Sequence, residues 1–549
     1  MINFRTTISR ANRKLPLKLA ASLLAASSLV ASLLGLFRDR IFNSTYYLTY
    51  PTGADAYRVA FSVPDFMFII LVSGALSVSF IPVFNQRLGA GNKKSAWELS
   101  TSVMNLMAIT TLVASILIII FAQPLVQYVV GPGLDESSRS LAVSMMRVIA
   151  VSPFLFAIAT VITSMQQAVG RFAFFAMAPV VYNIGIIIGL LFFTNGINLF
   201  GWQLFEGGIM GVALGVVLGA ILQLIISALG LYGMGYDYRF KIYWKNKGFR
   251  QVLRLLPPRS LDQGIDYVNS IVETNLASRM VAGSVNAYQQ VTTLAYMPIN
   301  LIGVTISTAA FPKMTERLAE GRPDLFKSEL QTVLRVIIWL ALPVTVVAIL
   351  ARGYIVNFIV NGGDPYMASI FAILAISILF RSVYFISARS FYAHQDTKTP
   401  LYISLFTIGL NITLAVWFTL GLGMGVYGLA WAAVIVSAVE VSLLFYVMSR
   451  RIEGLFDKPF VGAVVRMASA AGFTAIITYV TVNVFPLGAD DQSFWATFPK
   501  FALVTVVSGL SYLLFCWLFK LPEAKPVIDR IQKFFYKAPK VKDEPTKHS

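Results

Sequence analysis

The sequence predicts an all-α polytopic membrane protein of about 14 transmembrane helices, built as two pseudo-symmetric six-helix bundles plus two C-terminal helices around a central cavity. Three observations predict it: an apolar composition, fourteen apolar stretches whose connections alternate in charge, and an internal repeat of about 230 residues. Of 549 residues, 57% are hydrophobic and only 13% charged, against about 25% charged in an average soluble domain. The net charge of +18 would suit nucleic acid if it were gathered on one folded polar surface. It sits instead between apolar runs, as the enrichment of cations in cytoplasmic loops requires, so membrane lipids and not nucleic acid are the expected surroundings. Cys516 is the only cysteine and lies in an apolar run, which excludes a disulfide framework and a thiolate metal cluster.

A bilayer core is crossed by about 20 apolar residues in a helix. Stretches near that length fall at 17–37, 57–83, 100–122, 141–165, 173–194, 208–233, 260–280, 287–311, 333–351, 366–388, 400–421, 425–448, 463–485 and 499–519. The first follows a basic segment (Arg5, Arg10, Arg13, Lys14, Lys18), as a signal peptide does, but it is long for one and thirteen more follow, so it reads as the first transmembrane helix. Every second connection is basic: Arg87, Lys93 and Lys94; Arg171; Arg239 to Arg254; Lys313, Arg317, Arg322 and Lys327; Arg389 and Lys398; Arg450, Arg451 and Lys458. The others carry Asp135, Glu136, Glu206, Asp364, Asp490 and Asp491. A missed or invented helix would break this alternation, and with a basic N-terminus and tail both chain ends are expected in the cytoplasm of a multi-pass inner-membrane protein.

The repeat is visible by eye. Residues 77–91 (SVSFIPVFNQRLGAG) match 307–321 (STAAFPKMTERLAEG), pairing Pro82 with Pro312, Arg87 with Arg317 and Gly91 with Gly321 at an offset of 230 (307 − 77). Downstream, Gln167 pairs with Gln395, and Asn183-Ile184 with Asn411-Ile412, at 228 (395 − 167). Both halves start on the same side, so the repeat is parallel, with its pseudo-axis along the membrane normal. The expected division is an N-terminal bundle at 1–234, a basic cytoplasmic linker at 235–259, a C-terminal bundle at 260–449, two further helices within 450–519, and a basic cytoplasmic tail at 520–549.

Two facing bundles enclose a cavity, and ionisable residues in spans are functional candidates because hydrocarbon penalises them. The first half offers Arg38, Asp39, Arg40, Asp55, Arg58, Asp65 and Arg147; the second offers Arg259, Asp262, Asp266, Glu273, Arg279, Arg335 and Arg381. At Arg38 and Asp39 an arginine suits an anionic headgroup, because it grips phosphate oxygens with a planar fork and stays charged; an interfacial pair capping the first helix is the alternative. Asp262, Asp266 and Glu273 fall at i, i+4 and i+11, near one helical stripe. That stripe suits a cavity wall binding a proton or a monovalent cation, Glu273 foremost; a structural ion pair with Arg259 or with an arginine of a neighbouring helix is the alternative. Enzymatic readings fare poorly. His394 and His548 are the only histidines and no Gly-x-x-x-x-Gly-Lys-Ser/Thr sequence occurs, so neither a His-based triad, a His-ligated metal nor a P-loop is assembled. No cofactor or metal is expected, and energy must come from an ion gradient or the membrane potential.

The runs LLGLFRDRIF (33–42), GADAYRVAFSVPDF (53–66), GALSVSFIPVF (74–84), VVGPGLDE (129–136) and FYAHQDTKTP (391–400) resemble the MurJ/MviN family of lipid II flippases in the MOP exporter superfamily. The resemblance runs from the first to the twelfth span. It implies a cargo similar to undecaprenyl-diphosphate-linked glycopeptide, carried to the periplasmic leaflet by alternating access for peptidoglycan synthesis, and contacts with cell-wall synthesis proteins. Arg38, Asp39 and Asp55 match family residues, whereas Leu33, Phe68 and Thr293 stand where the family has arginines, and Ser73 where it has an acid. Arg58, Arg259 and Arg279 are the expected substitutes. An exporter of another lipid-linked oligosaccharide or of small molecules is the nearest rival, and a membrane glycosyltransferase, which needs a large outer loop, the more distant one.

Overall fold

The computed structural model describes residues 12–14, 16–199, 202–488 and 490–535, with the backbone alone at 17, 18, 21, 73–79, 197–199, 202–204, 257–263, 265, 266 and 531–535. Its first nine helices are α1 (Leu17–Phe42), α2 (Pro51–Phe68), α3 (Gly74–Gly89), α4 (Lys93–Pro124), α5 (Glu136–Ile149), α6 (Ser152–Ala168), α7 (Ala173–Phe192), α8 (Met210–Leu229) and α9 (Lys247–Ala277). A short antiparallel hairpin, β1 (Ile197–Leu199) and β2 (Trp202–Phe205), joins α7 to α8. There follow α10 (Ser284–Ile299), α11 (Thr305–Ala319), α12 (Pro323–Leu350), α13 (Arg352–Asn357), α14 (Pro365–Ala393), α15 (Lys398–Val416), α16 (Val426–Arg451), α17 (Lys458–Val484), α18 (Phe494–Leu518) and α19 (Lys525–Phe535).

Helix starts are written locally. Asn92, Asp135, Asn246, Asp457 and Ser493 each accept a hydrogen bond from a free amide in the first turn of α4, α5, α9, α17 and α18, as N-cap side chains do. Among the described residues twelve helical stretches are long and apolar enough to cross a membrane, against about fourteen expected. The other two expected spans, 57–83 and 260–280, are helical as α2–α3 and α9. These helices carry Asp55, Arg58 and Asp65, and Asp262, Asp266 and Glu273.

The duplication is present in the backbone. Pro64 and Pro298 lie inside α2 and α10, and each helix gives way to a π-helical turn, Ile69–Ser73 or Asn300–Val304, before α3 or α11 begins. A proline removes a donor and crowds the carbonyl four residues earlier, and a wider turn accommodates such a break. The two turns are 231 residues apart (300 − 69). After each following helix the chain reverses at a left-handed glycine, Gly91 at φ +76° and Gly321 at φ +68°, a conformation that L side chains avoid.

The chain packs as two compact units. The first comprises Met1–Val291, Val356–Ile370 and Ile408–Ala432. Its apolar core gathers Phe80, Phe84, Leu99, Val103, Met165 and Phe249. Here α7 and α8 touch backbone to backbone: a Cβ on Gly185 would lie 2.3 Å from Cα of Gly219, and one on Gly189 2.4 Å from Cα of Gly215. Small residues four apart permit this approach, on which helix pairs in lipid depend. Gly189→Leu is therefore expected to force the pair apart at a cost of roughly 1–3 kcal/mol or more, read as a lowered melting temperature and loss of monodispersity in detergent; an unchanged melting curve would contradict this packing.

The second unit comprises Thr292–Ile355, Phe371–Thr407 and Ala433–Ser549. It centres on Phe326, Leu330, Leu334, Ile386, Leu444 and Met467, with Cys516 buried among them and accepting from Trp339 Nε1 at 3.3 Å. In the run 391–400, Asp396 caps α15: its carboxylate accepts from the amides of Lys398 and Thr399, both at 3.0 Å, and from the Thr399 hydroxyl at 2.6 Å and Arg451 at 2.5 Å. The Thr399 bonds, aided by Arg451, hold this carboxyl well below the usual carboxylate range.

Candidate functional site

The site grows from the end of α1 and one face of α2, both in the first unit. Arg38 leaves α1 with Nε and Nη2 donating to Asp39 Oδ1 at 3.1 and 2.9 Å and Nη1 donating to Asn183 Oδ1 of α7 at 3.0 Å. Arg58 of α2 brings Nη2 to 3.8 Å from the same Asp39 oxygen and donates from Nε to Asn286 Oδ1 of α10 at 2.8 Å. Its guanidinium lies over the Phe42 and Tyr57 rings, 5.5 and 5.7 Å from their centroids, where a ring face attracts a cation. Two guanidiniums therefore share one carboxylate oxygen, leaving the cluster cationic. Both side chains keep some exposure, 23% and 17%, and that exposure opens on a pocket of about 210 Å³ lined by Arg38, Tyr57, Arg58, Phe61, Asp65, Tyr182, Ile186 and Gln289. Arg58, Phe61 and Asp65 stand at i, i+3 and i+7 on α2, one face of a helix. Asp65 completes that face in the pocket wall.

Asp55 belongs to a different structure. It is 3% exposed and outside the pocket wall, its carboxylate accepting from the backbone amides of Gly283 at 2.7 Å and Asn286 at 2.8 Å. An anionic acceptor at a helix N-terminus meets both the free amides and the dipole, so Asp55 fastens α2 to the start of α10. Around it Asn286 Nδ2 donates to Asn43 Oδ1 at 3.0 Å, Asn43 Nδ2 to the Ile359 carbonyl at 3.0 Å, Arg40 to the Asn357 carbonyl at 2.6 Å and Tyr47 to Asp364 at 2.5 Å. The bonds from Asn286 and Gly283 to Asp55 and from Arg58 to Asn286 link positions 228 to 231 residues apart. That is the spacing of the repeat, so equivalent helices, α2 and α10, meet here.

Glu273 forms a third cluster. Its Oε1 accepts from Asn269 Nδ2 at 2.9 Å and Asn411 Nδ2 at 3.1 Å, and Asn411 also donates to Asn269 Oδ1 at 2.8 Å. Asn183 and Asn411 are the pair matched by the repeat, so one copy of the asparagine holds Arg38 and the other holds Glu273. The side chains of Asp262, Asp266 and Arg259 lie outside the described residues. Arg279 falls apart from all three clusters: it is exposed, beyond the end of α9, with Nε donating to Asn275 Oδ1 at 3.2 Å. Of the three expected substitutes for family arginines, Arg58 therefore stands in the pocket and Arg279 does not. In the second unit, Glu440, 4% exposed, accepts from Arg381 at 3.3 Å, Ser404 at 3.1 Å and Thr407 at 3.3 Å. The sequence reading named Arg381 but passed over Glu440, although a lone carboxylate inside an apolar span was the available signal.

A duplicated helical chain with charged clusters buried among membrane spans has the form of a membrane transporter. The fold agrees with a solved structure described as lipid II flippase MurJ in an inward closed conformation, at TM-score 0.73 and 22% identity over 92% of this chain and 99% of that one. It also agrees with an inward-facing multidrug resistance MATE family transporter of the MOP superfamily, at TM-score 0.66 and 16% identity over 80% and 99%. Sequence narrows the class. The profile of the family described as lipid II flippase MurJ matches residues 45–495, and the chain belongs to that family. Similar relatives include probable lipid II flippases MurJ of Thermotoga maritima, 25% identical over 90% of this chain and 95% of the relative, and of Bdellovibrio bacteriovorus, 25% identical over 92% and 96%.

Proposed function

We propose that this chain is a flippase that moves lipid II, an anionic lipid-linked peptidoglycan precursor, from the cytoplasmic to the periplasmic leaflet of the bacterial inner membrane by alternating access. The observation that carries this reading is the pair Arg38 and Arg58, both in the pocket wall, converging on one Asp39 oxygen. A phosphate group offers the same planar pair of acceptors as Asp39 and competes with it for both guanidiniums. Asp39 thus keeps the arginines oriented and partly neutralised while the pocket is empty. The alternation of basic loops supports cytoplasmic termini and a bundle division near 1–234 and 260–449. Export of negative charge from a negative-inside cell is favoured by about 2.3 kcal/mol per charge per 100 mV.

Depletion of the protein in its native cell is expected to accumulate lipid-linked precursor in the cytoplasmic leaflet, measured by its accessibility to an impermeant reagent. No accumulation would refute the assignment. Glu273 is the residue assigned to ion coupling: the side-chain N–H groups of Asn269 and Asn411 hold its carboxylate in place, and that carboxylate is the group that takes the proton or small cation. Glu273→Gln is expected to slow transport about tenfold or more, by the size of a charge-assisted interaction, with folded protein retained. Wild-type rate and an unchanged dependence on the imposed gradient would remove that role.

A further inference from the structure

The connection between α8 and α9 is held in place and is no slack loop. Asn105 of α4, 2% exposed, donates to the carbonyls of Arg239 at 2.9 Å and Lys241 at 3.0 Å and accepts from the Tyr238 hydroxyl at 2.8 Å. Ser102 Oγ accepts from the Tyr243 amide at 2.8 Å, Thr101 and Tyr236 share a hydroxyl bond at 3.0 Å, and Asn246 Nδ2 donates to the Ser95 carbonyl at 3.0 Å. The Tyr236 ring meets Trp97 edge-on at 5.3 Å. With its inner side satisfied in this way, the segment presents Phe240, 80% exposed, and Trp244, 57% exposed, to the outside.

Beside those rings stand Lys241 and Lys245 and the first turns of α9. Lys247, Arg250, Gln251, Arg254 and Leu255 fall at i, i+3, i+4, i+7 and i+8, one face of the helix, and line an open depression of about 360 Å³. Arg250 is steered there by its Nε bond to the Trp244 carbonyl at 2.8 Å. Large exposed rings held by a fixed backbone mark a contact surface. Aromatic rings interleaved with cations are the pattern of the membrane interface, where rings sit at headgroup level and lysine and arginine attract anionic lipids. A soluble acidic partner would match the cations but leave the apolar rings of Phe240 and Trp244 without one.

We propose that this face docks the phosphate heads of anionic phospholipids, with Lys247, Arg250 and Arg254 on the phosphate and Phe240 and Trp244 at the acyl boundary. The inference stands whatever the transported cargo is. Its test is native mass spectrometry of the full chain equilibrated with equal amounts of phosphatidylglycerol and phosphatidylethanolamine, for the wild type, K247A/R250A/R254A and F240A/W244A. The wild type is expected to prefer phosphatidylglycerol about tenfold or more, the triple variant to lose that preference, and the aromatic variant to bind both lipids more weakly; melting curves matched to the wild type exclude misfolding. Equal preference in the wild type and the triple variant would overturn the proposal. So would displacement of phosphatidylglycerol by soluble polyglutamate or by single-stranded oligonucleotide at equal charge, either of which would assign the face to a soluble acidic partner.

Discussion

Arg38→Ala is expected to slow lipid II transport by about 10- to 100-fold, because a hydrogen bond to a charged group contributes about 1.5–3 kcal/mol and each 1.36 kcal/mol is about tenfold in rate. The loss has two sources. The phosphate loses a planar fork, and Asp39 loses the Nε and Nη2 donors at 3.1 and 2.9 Å, so Arg58, 3.8 Å away, is drawn onto the carboxylate and away from the pocket. Arg38→Lys restores charge without the fork and should recover only part of the rate. Pairing Arg38→Ala with Asp39→Asn releases Arg58 and should recover more than either single change predicts, a coupling that a double-mutant cycle reads directly. The measurement is the rate at which labelled lipid II becomes accessible across proteoliposomes. Full-rate transport by Arg38→Ala, in protein with a wild-type melting curve, would withdraw the residue from the site.

Why that pair was legible in the sequence, and much of its surroundings was not, follows from what a membrane span penalises. Arg38, Asp39 and Arg58 stand out because charge in hydrocarbon is costly. Asn43, Asn183, Asn286 and Asn411 carry no such mark, yet they orient Arg38, Arg58 and Glu273 through partners far apart in the chain. Only the repeat, which pairs Asn183 with Asn411, gave a hint. Asp55 was legible as a charge but not as a direction: its bonds go to backbone amides, and amides have no side-chain signature. Arg279 lies outside the pocket for a smaller reason, since α9 ends at Ala277 while the apolar run of the sequence continues past it. The same helix starts at Lys247, well inside the expected linker, because the Asn246 cap and a buried Phe249 start it before the apolar span begins. Both proline-linked π turns were invisible as such, although the matching of Pro82 with Pro312 located the repeat that contains them.

Asp55→Ala is expected to weaken the fastening of α2 to α10 and shift the protein toward the state in which that contact is open. Two buried amides, of Gly283 and Asn286, lose their acceptor, and each unsatisfied group costs about 1–3 kcal/mol. Gly283 cannot relax by taking a side chain, since its φ is +89° and a Cβ there would meet Tyr47 at 2.8 Å. A shift of about 1–3 kcal/mol changes a population ratio by about 5- to 150-fold. Ser284 reports it: the residue is fully buried and bonded to the Tyr366 hydroxyl at 2.8 Å, and a cysteine placed there reacts with a polar thiol reagent only when α2 and α10 separate. The native Cys516 is buried, so background labelling is low. In the Ser284→Cys background, Asp55→Ala should raise the labelling rate by about the population factor, and Asp55→Asn, which keeps one acceptor oxygen, should raise it less. Transport should fall in both, because alternating access needs the contact to re-form as well as to break, and a transporter held open on one side stalls there. Labelling no faster than the parent in folded Asp55→Ala would mean that the Arg58 bond to Asn286 keeps α2 and α10 together without it.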